Sequence, residues 1–204
     1  ARAQARLCLE RGSPRDLATI RDGLAAAHKL GGILSAVNLP LPPSGINDAA
    51  AGLGRHDSLV DELTRALNSE LPISARDGGF IAADYRPELD EVRLLRDASR
   101  KLIIGLEGDY RQQSGIDNLK IKHNRVLGYF IEIAARRAET LMTMPLSETF
   151  VHRQTMANVV RFSTVELSDL ERRIAKSADQ ALALEVELFR KLSDKVAAQS
   201  DSIL

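Results

Sequence analysis

Tryptophan is absent from this chain of 204 residues, and aromatic residues account for only 4% of it. Leu and Ala supply the apolar content instead, which suits helix packing better than a β-sandwich. Cysteine is nearly missing too. The single Cys8 excludes an intrachain disulfide and a cysteine-rich metal site, and it fits a reducing compartment. Its expected place is that of a small residue packed between Leu7 and Leu9. No apolar run reaches the roughly 18 residues of a membrane span. The opening ARAQARLCLERG lacks an initiator Met and the apolar stretch of a signal peptide. The expectation is a cytoplasmic protein without membrane contact, whose sequence begins inside a longer one. Excess charge is missing as well: Lys plus Arg and Asp plus Glu number 28 each. Only the distribution of charge along the chain can point to a partner.

Catalytic signatures are equally scarce. There is no G-x-x-x-x-G-K-[ST] phosphate loop, no G-x-G-x-x-G and no G-x-S-x-G elbow. GLGRHD, from Gly52 to Asp57, echoes a phosphate loop weakly and reads as an ordinary loop. His28, His56, His123 and His152 show no metal-ligand spacing, and the last two read as solvated surface groups. The acidic clusters at Glu88–Glu91 and Asp169–Glu171 lie near expected helix starts, where the helix dipole favours negative charge. The chain is therefore expected to be no enzyme and to hold no cofactor or metal.

Helical spacing fills most of the sequence. Residues 1–11 suit a short helix. In GSPRDLATIRDGLAAAHKL, Ser13 can cap, Pro14 can take the first helical position, and Leu17, Ile20, Leu24 and Ala27 share one face. Gly31 and Gly32 are expected to end that helix, and VNLPLPPSG to follow as a proline-rich loop. Leu59, Leu63 and Leu67 mark another helix. RDGGFIAADYRP reads as a turn, a short extended piece and a second turn. A long helix is predicted from Pro87 to about Gln113, with Leu89, Val92, Leu95, Leu102, Ile103, Leu106 and Tyr110 as its apolar series. It would span roughly 40 Å. Gly105 and Gly108 weaken it, and SGID ends it. A second long helix is predicted from about Thr164 to Ala198, roughly 50 Å in length. Its stripe includes Leu167, Leu170, Ile174, Ala181, Leu182, Val186, Phe189, Leu192 and Val196. Amphipathic helices gain most of their stability from packing, so the two are expected to pair antiparallel.

Between them the period changes. In LKIKHN, Leu119 and Ile121 alternate with Lys120 and Lys122; in GYFIEI, Tyr129, Ile131 and Ile133 share one face. Asn124 and Gly128 are the turn residues between these runs, and TFVHRQTMANVVRFST can supply one or two more strands. The expected fold is mainly α: a long-helix bundle with a small antiparallel β-sheet inserted at the tip of two long antiparallel helices. The expected domains are residues 1–114, 115–163 and 164–204. From Leu119 to Phe162, seven Lys and Arg face three Glu, a local charge of +4 that the rest of the neutral chain must offset. A basic tip on a slightly acidic arm fits a nucleic-acid footprint, with Asn124, Gln154, Thr155 and Asn158 as neutral donors for phosphate oxygens. A solvated sheet face with protective edge lysines fits the same charge pattern. Tyr129, Phe130 and Phe162 read as core rather than base-stacking platforms, so backbone contact is favoured over sequence readout.

NRVLGYFIEI followed by FVHRQTMANVVRFSTVELSDLE resembles the MutS family of DNA mismatch repair proteins. SPRDLATIRDGL, RDGGFIAADYRPELDEVRLL and ALALEVELF resemble it too, in the family's order. The resemblance implies a helical lever domain carrying a β clamp that touches the DNA backbone without reading sequence. It places Arg153, Gln154, Thr155, Asn158 and Arg161 on the family's R-Q-T-L-K-N-x-E-R stretch, with Arg153, Asn158 and Arg161 as the preferred phosphate contacts. Ala157 stands where the family commonly has Lys, and Val160 where it commonly has Glu; Lys122, Arg136 or Arg137 could compensate for the lysine. Asn124, Arg125 and Gly128 match the hairpin turn, where a structural role is at least as strong as DNA contact. Phe130-Ile131-Glu132 matches the family's F-x-E mismatch-reading motif by letter, but it lies within the clamp motif and not in the separate domain that carries the reader. The resemblance further implies an ATPase domain with ATP and Mg beyond Leu204, a relay role for this stretch, and double-stranded DNA, a second copy and the MutL protein as partners. Nucleoid association would follow when the protein is on DNA. A structural or partner-binding module without a DNA grip is the alternative.

Overall fold

Apolar spacing of three and four residues becomes helix wherever the computed structural model describes the chain, at residues 1–36, 45 and 52–203. The helices are α1 (Arg2–Cys8), α2 (Pro14–Ala36), α3 (Asp57–Ala66), α4 (Pro87–Ser114), α5 (Ala138–Met142), α6 (Val165–Ala198) and α7 (Ser200–Ile203). Four strands lie between α4 and α6: β1 (Lys120–Asn124), β2 (Gly128–Ala134), β3 (Val151–Thr155) and β4 (Val159–Ser163). The chain is thus mainly helical with a small antiparallel sheet, as expected. The proline-rich loop read at residues 37–45 lies outside the described residues, apart from Gly45. Among the described residues, no helix is long and apolar enough to cross a membrane.

The chain divides into two compact units, residues 1–90 with 181–204, and residues 91–180. In the first, α2 and α3 pack together and bury Leu17, Ile20, Leu24, Leu59 and Leu63. Pro14 opens α2 as its φ allows, but the cap is Asp16, whose Oδ2 accepts from the Ser13 N–H and hydroxyl at 2.9 Å each. Gly78 and Gly79, with φ of +66° and +78°, turn the chain so that Ile81 bridges Leu67. The Phe80 ring meets Phe189 edge-on at 6.1 Å, and its N–H donates to Glu185 Oε2 at 3.1 Å. Glu185 is a buried carboxylate that the apolar spacing of α6 does not reveal.

Three expectations are corrected. Gly31 and Gly32 lie inside α2, which continues to Ala36. Glycine lowers helix stability by about 1 kcal/mol without breaking the hydrogen-bond ladder, and the following ILSA resumes good helix chemistry. Cys8 is exposed, because the 100° step from buried Leu7 turns it off the core face. Leu95 and Leu102 are 62% and 55% exposed. The buried face of α4 in the second unit runs through Ser99, Ile103, Leu106 and Tyr110, one residue out of phase with them.

That second unit is built on the sheet, ordered β1-β2-β4-β3 with antiparallel neighbours. Ile131, Ile133, Val160 and Phe162 face one core with Ile103, Leu106 and Tyr110 of α4 and Leu167, Leu170 and Ile174 of α6. Thr164 caps α6 by accepting from the Leu167 N–H at 3.0 Å, and its hydroxyl meets the Tyr110 hydroxyl at 2.7 Å. The edge of β1 is closed by α4: Glu107 Oε2 accepts from the Ile121 N–H at 2.7 Å, and Arg111 Nε donates to the Leu119 carbonyl at 2.8 Å. Glu107 and Arg111 pair with each other at 2.5 Å, so one ion pair satisfies two backbone groups at the start of that edge.

Two expectations about stability follow. Gly108 has open space where a Cβ would stand, so Gly108→Ala should raise stability by about 1 kcal/mol, whereas Gly115→Ala, at φ +66°, should lower it by a similar amount. Glu185→Ala should cost about 1–3 kcal/mol by stranding the Phe80 N–H. Urea denaturation of the variants checks both; equal midpoints for the two glycine variants would contradict the first, and an unchanged midpoint for Glu185→Ala the second.

Candidate nucleic-acid interface

Strand pairing decides which polar side chains share a face. Lys120 lies opposite Glu132, Lys122 opposite Phe130, Arg161 opposite Glu132 and Gln154 opposite Arg161. These residues alternate with the core-facing set and form the outer face of the sheet. Glu132 is at its centre. Its Oε1 accepts from Lys122 Nζ at 2.6 Å, and its Oε2 accepts from Arg161 Nε at 3.2 Å. Arg161 Nη1 donates to Gln154 Oε1 at 3.0 Å, and the guanidinium lies 4.5 Å from the centre of the buried Phe130 ring. Phe130 is buried, as expected, but on the outer side of the sheet under the Arg161 guanidinium and not in the core that α4 and α6 cover. Lys120 is exposed and has no carboxylate partner among the described residues.

β3 is the far edge of the sheet, and all five of its residues are exposed. His152 pairs with Phe162 and Gln154 with Arg161, so Arg153 is the extra residue of a bulge. A bulge bends the strand and re-aims the extra side chain. Arg153 has no hydrogen-bond or ion-pair partner among the described residues. The Thr155 hydroxyl, by contrast, meets His152 Nε2 at 2.8 Å.

The remaining predicted residues gather at the two ends of the sheet. Asn124 Oδ1 accepts from the Val126 N–H at 2.9 Å and the Leu127 N–H at 2.7 Å, which folds the β1–β2 turn. That turn presents Arg125 and Val126, the latter 90% exposed, and Gly128 closes it at φ +67° against Glu171 of α6. At the other end the Ala135 N–H donates to the Asn158 carbonyl at 2.9 Å. This bond brings the exposed Arg136 and Arg137 beside the β3–β4 turn, where Ala157 and Asn158 are exposed. The ends are about 20 Å apart, the length of β2 at about 3.3 Å per residue.

The predicted residues therefore form no single patch. Lys122, Gln154 and Arg161 meet on the outer face, Arg153 stands alone on an edge, and Asn124 with Arg125 lies opposite Thr155, Asn158, Arg136 and Arg137. Two outer-face residues escaped the sequence reading of the site: Lys120 and Glu132. The same alternation that singled out Lys122 places Lys120 on its face, so the signal was present.

The Lys122 hydrogen bond holds the Glu132 carboxyl below the usual carboxylate range; burial opposes this, and the Arg161 bond adds to it. A folded-state pKa lowered in this way contributes stability above the unfolded value, about 4.3, and the contribution is lost as pH falls through the folded value. Glu132→Gln should therefore flatten the loss of melting temperature as pH falls below about 4.3. Coincident acid limbs for the two proteins would contradict this coupling.

Residues 84–180, which hold the whole sheet with α4 and the first half of α6, match MutS family domain IV. The chain is 48% identical to the DNA mismatch repair protein MutS of Rhodopseudomonas palustris (strain BisA53) over 205 residues, which cover 100% of this chain and 22% of that protein. It is 49% identical to the protein of the same name from Paracoccus denitrificans over 195 residues, or 96% of this chain and 22% of that protein. The Ruegeria pomeroyi protein is also 49% identical, over 199 residues that make up 98% of this chain and 22% of the relative. The chain spans about a fifth of the length of these curated relatives. With the domain match laid over the sheet and identity near one half along its entire length, the chain belongs to the MutS family.

Proposed function

We propose that the sheet grips double-stranded DNA by its phosphate backbone, without reading sequence, as the clamp of a mismatch repair protein. The observation that carries this reading is the set of exposed cations Lys120, Arg125, Arg136, Arg137 and Arg153, unpartnered among the described residues and spread over both ends, one face and one edge of the sheet. From Leu119 to Phe162, Glu139 and Glu148 are the two carboxylates without a cation partner among the described residues. A duplex carries one charge per roughly 1.7 Å of axis, so it offers anions along a span of about 20 Å. A small anionic ligand does not. No aromatic side chain stands free on this surface for base stacking, since Phe130 and Phe162 are buried and Tyr129 packs against the core.

The proposal includes a relay. α6 is unbroken from Val165 to Ala198 and α4 from Pro87 to Ser114, and each contributes residues to both compact units. Helices of this length can pass on a displacement when two states exist, here between the clamp and the ATPase part that family resemblance assigns to the longer protein. ATP and Mg are proposed for that part of the longer protein and not for this stretch, whose sequence carries no G-x-x-x-x-G-K-[ST] phosphate loop. A second copy and MutL are proposed as partners of the longer protein on the same resemblance.

Arg153→Ala and the double variant Arg136→Ala/Arg137→Ala should weaken duplex binding by similar factors on unrelated sequences. Each lost phosphate contact should flatten the slope of log affinity against log salt by about 0.9. Ala157→Lys, at an exposed turn position, should strengthen binding on every sequence. Fluorescence anisotropy across a salt series measures these effects, and a loss confined to one sequence, or none in the arginine variants, would contradict the reading.

A further inference from the structure

The network at the centre of the outer face has a feature that a simple cation grip does not require. Lys122 and Arg161 both face the proposed ligand, yet both are bound to one carboxylate. Glu132 offers a separate oxygen to each, at 2.6 Å and 3.2 Å, and its side chain is 12% exposed. A phosphate offers oxygens to Lys and Arg in the same manner, one to a point charge and one to a guanidinium edge. Arg161 is also fixed from the side by Gln154 and from below by Phe130, so its position does not depend on Glu132 alone. Lys122 is half exposed and has no other partner among the described residues.

We propose that Glu132 is a built-in substitute for phosphate, which occupies Lys122 and Arg161 while DNA is absent and must release them for the duplex to engage the outer face. This inference rests on the reading of the sheet as a duplex grip. Glu132 then acts as a brake on backbone affinity. It keeps the outer face from binding any polyanion at full strength and leaves Lys120 and the cations at the sheet ends and edge to make first contact. Lys122, at 50% exposed, is the solvent-facing half of the network and the one most readily exchanged for phosphate, so the brake is modest.

The test compares the 204-residue chain with its Glu132→Gln variant, which keeps the shape and a hydrogen-bond acceptor but loses the charge. Glu139→Gln is the control, because Glu139 is an exposed carboxylate of the same unit with no cation partner among the described residues. Circular dichroism establishes that each variant keeps its secondary structure, and anisotropy with a labelled duplex of arbitrary sequence is read across a salt series. Glu132→Gln should bind about three- to tenfold more tightly at low salt, with a slope steeper by about one to two, while Glu139→Gln changes little. Adding Lys122→Gln to Glu132→Gln should remove part of the gain. Unchanged or weaker binding by a folded Glu132→Gln variant, or an equal gain in Glu139→Gln, would overturn the brake while the clamp reading stands. No duplex binding by any of these proteins would overturn the clamp reading and the brake with it.

Discussion

The sheet has one apolar face, and α4 and α6 are what bury it. Four strands of five to seven residues are too short to hold a register on backbone hydrogen bonds alone. Packing Ile131, Ile133, Val160 and Phe162 on the helices removes that freedom, because a slip of one residue would turn every one of them to solvent. The same packing determines the opposite face. Once Ile131 and Ile133 point inward, Phe130 and Glu132 point outward, and their strand partners bring Lys120, Lys122 and Arg161 with them. The core thus sets the charge pattern of the surface. The two edges are treated differently: α4 closes β1 through Glu107 and Arg111, whereas β3 stays open and carries a bulge at Arg153.

Charge on this surface comes in two kinds. The paired kind, at the centre of the outer face, is held by Glu132, by Gln154 and by the Phe130 ring. The unpaired kind lies at the two turns, on the β3 edge and at Lys120. Unpaired exposed cations supply long-range attraction, which is screened within about 10 Å at 0.1 M salt. The paired cations become available only if their carboxylate lets them go. On the proposed reading, a sheet arranged in this way meets a polyanion loosely through the unpaired cations and then holds it more closely through the paired ones.

Much of this was legible in the sequence. The period of two in LKIKHN and GYFIEI, and the long helical series on either side, placed the strands and both long helices within a few residues. Asn124 and Gly128 marked their turn correctly because an Asx turn and a positive φ are local requirements. Pairing partners were not legible. The antiparallel order that joins Arg161 to Glu132 depends on residues 29 apart, and no local pattern encodes it. The bulge at Arg153 and the bond from Ala135 to Asn158 are likewise products of tertiary contact. Leu95 and Leu102 show the opposite failure: both fit an apolar series, yet a shift of one residue in the buried face leaves them in solvent. Glycine was overread at Gly31 and Gly32, where a cost of about 1 kcal/mol each is absorbed by the rest of α2.

The central claim is a grip on backbone and not on sequence, and wild-type binding tests it most directly. Anisotropy of the 204-residue chain would be measured with labelled homoduplexes of unrelated sequence and with a mismatched duplex, each across a salt series. The account predicts the same affinity for all of them at each salt concentration, with log affinity falling linearly as log salt rises. A preference for one sequence or for the mismatch, or binding that does not respond to salt, would contradict it.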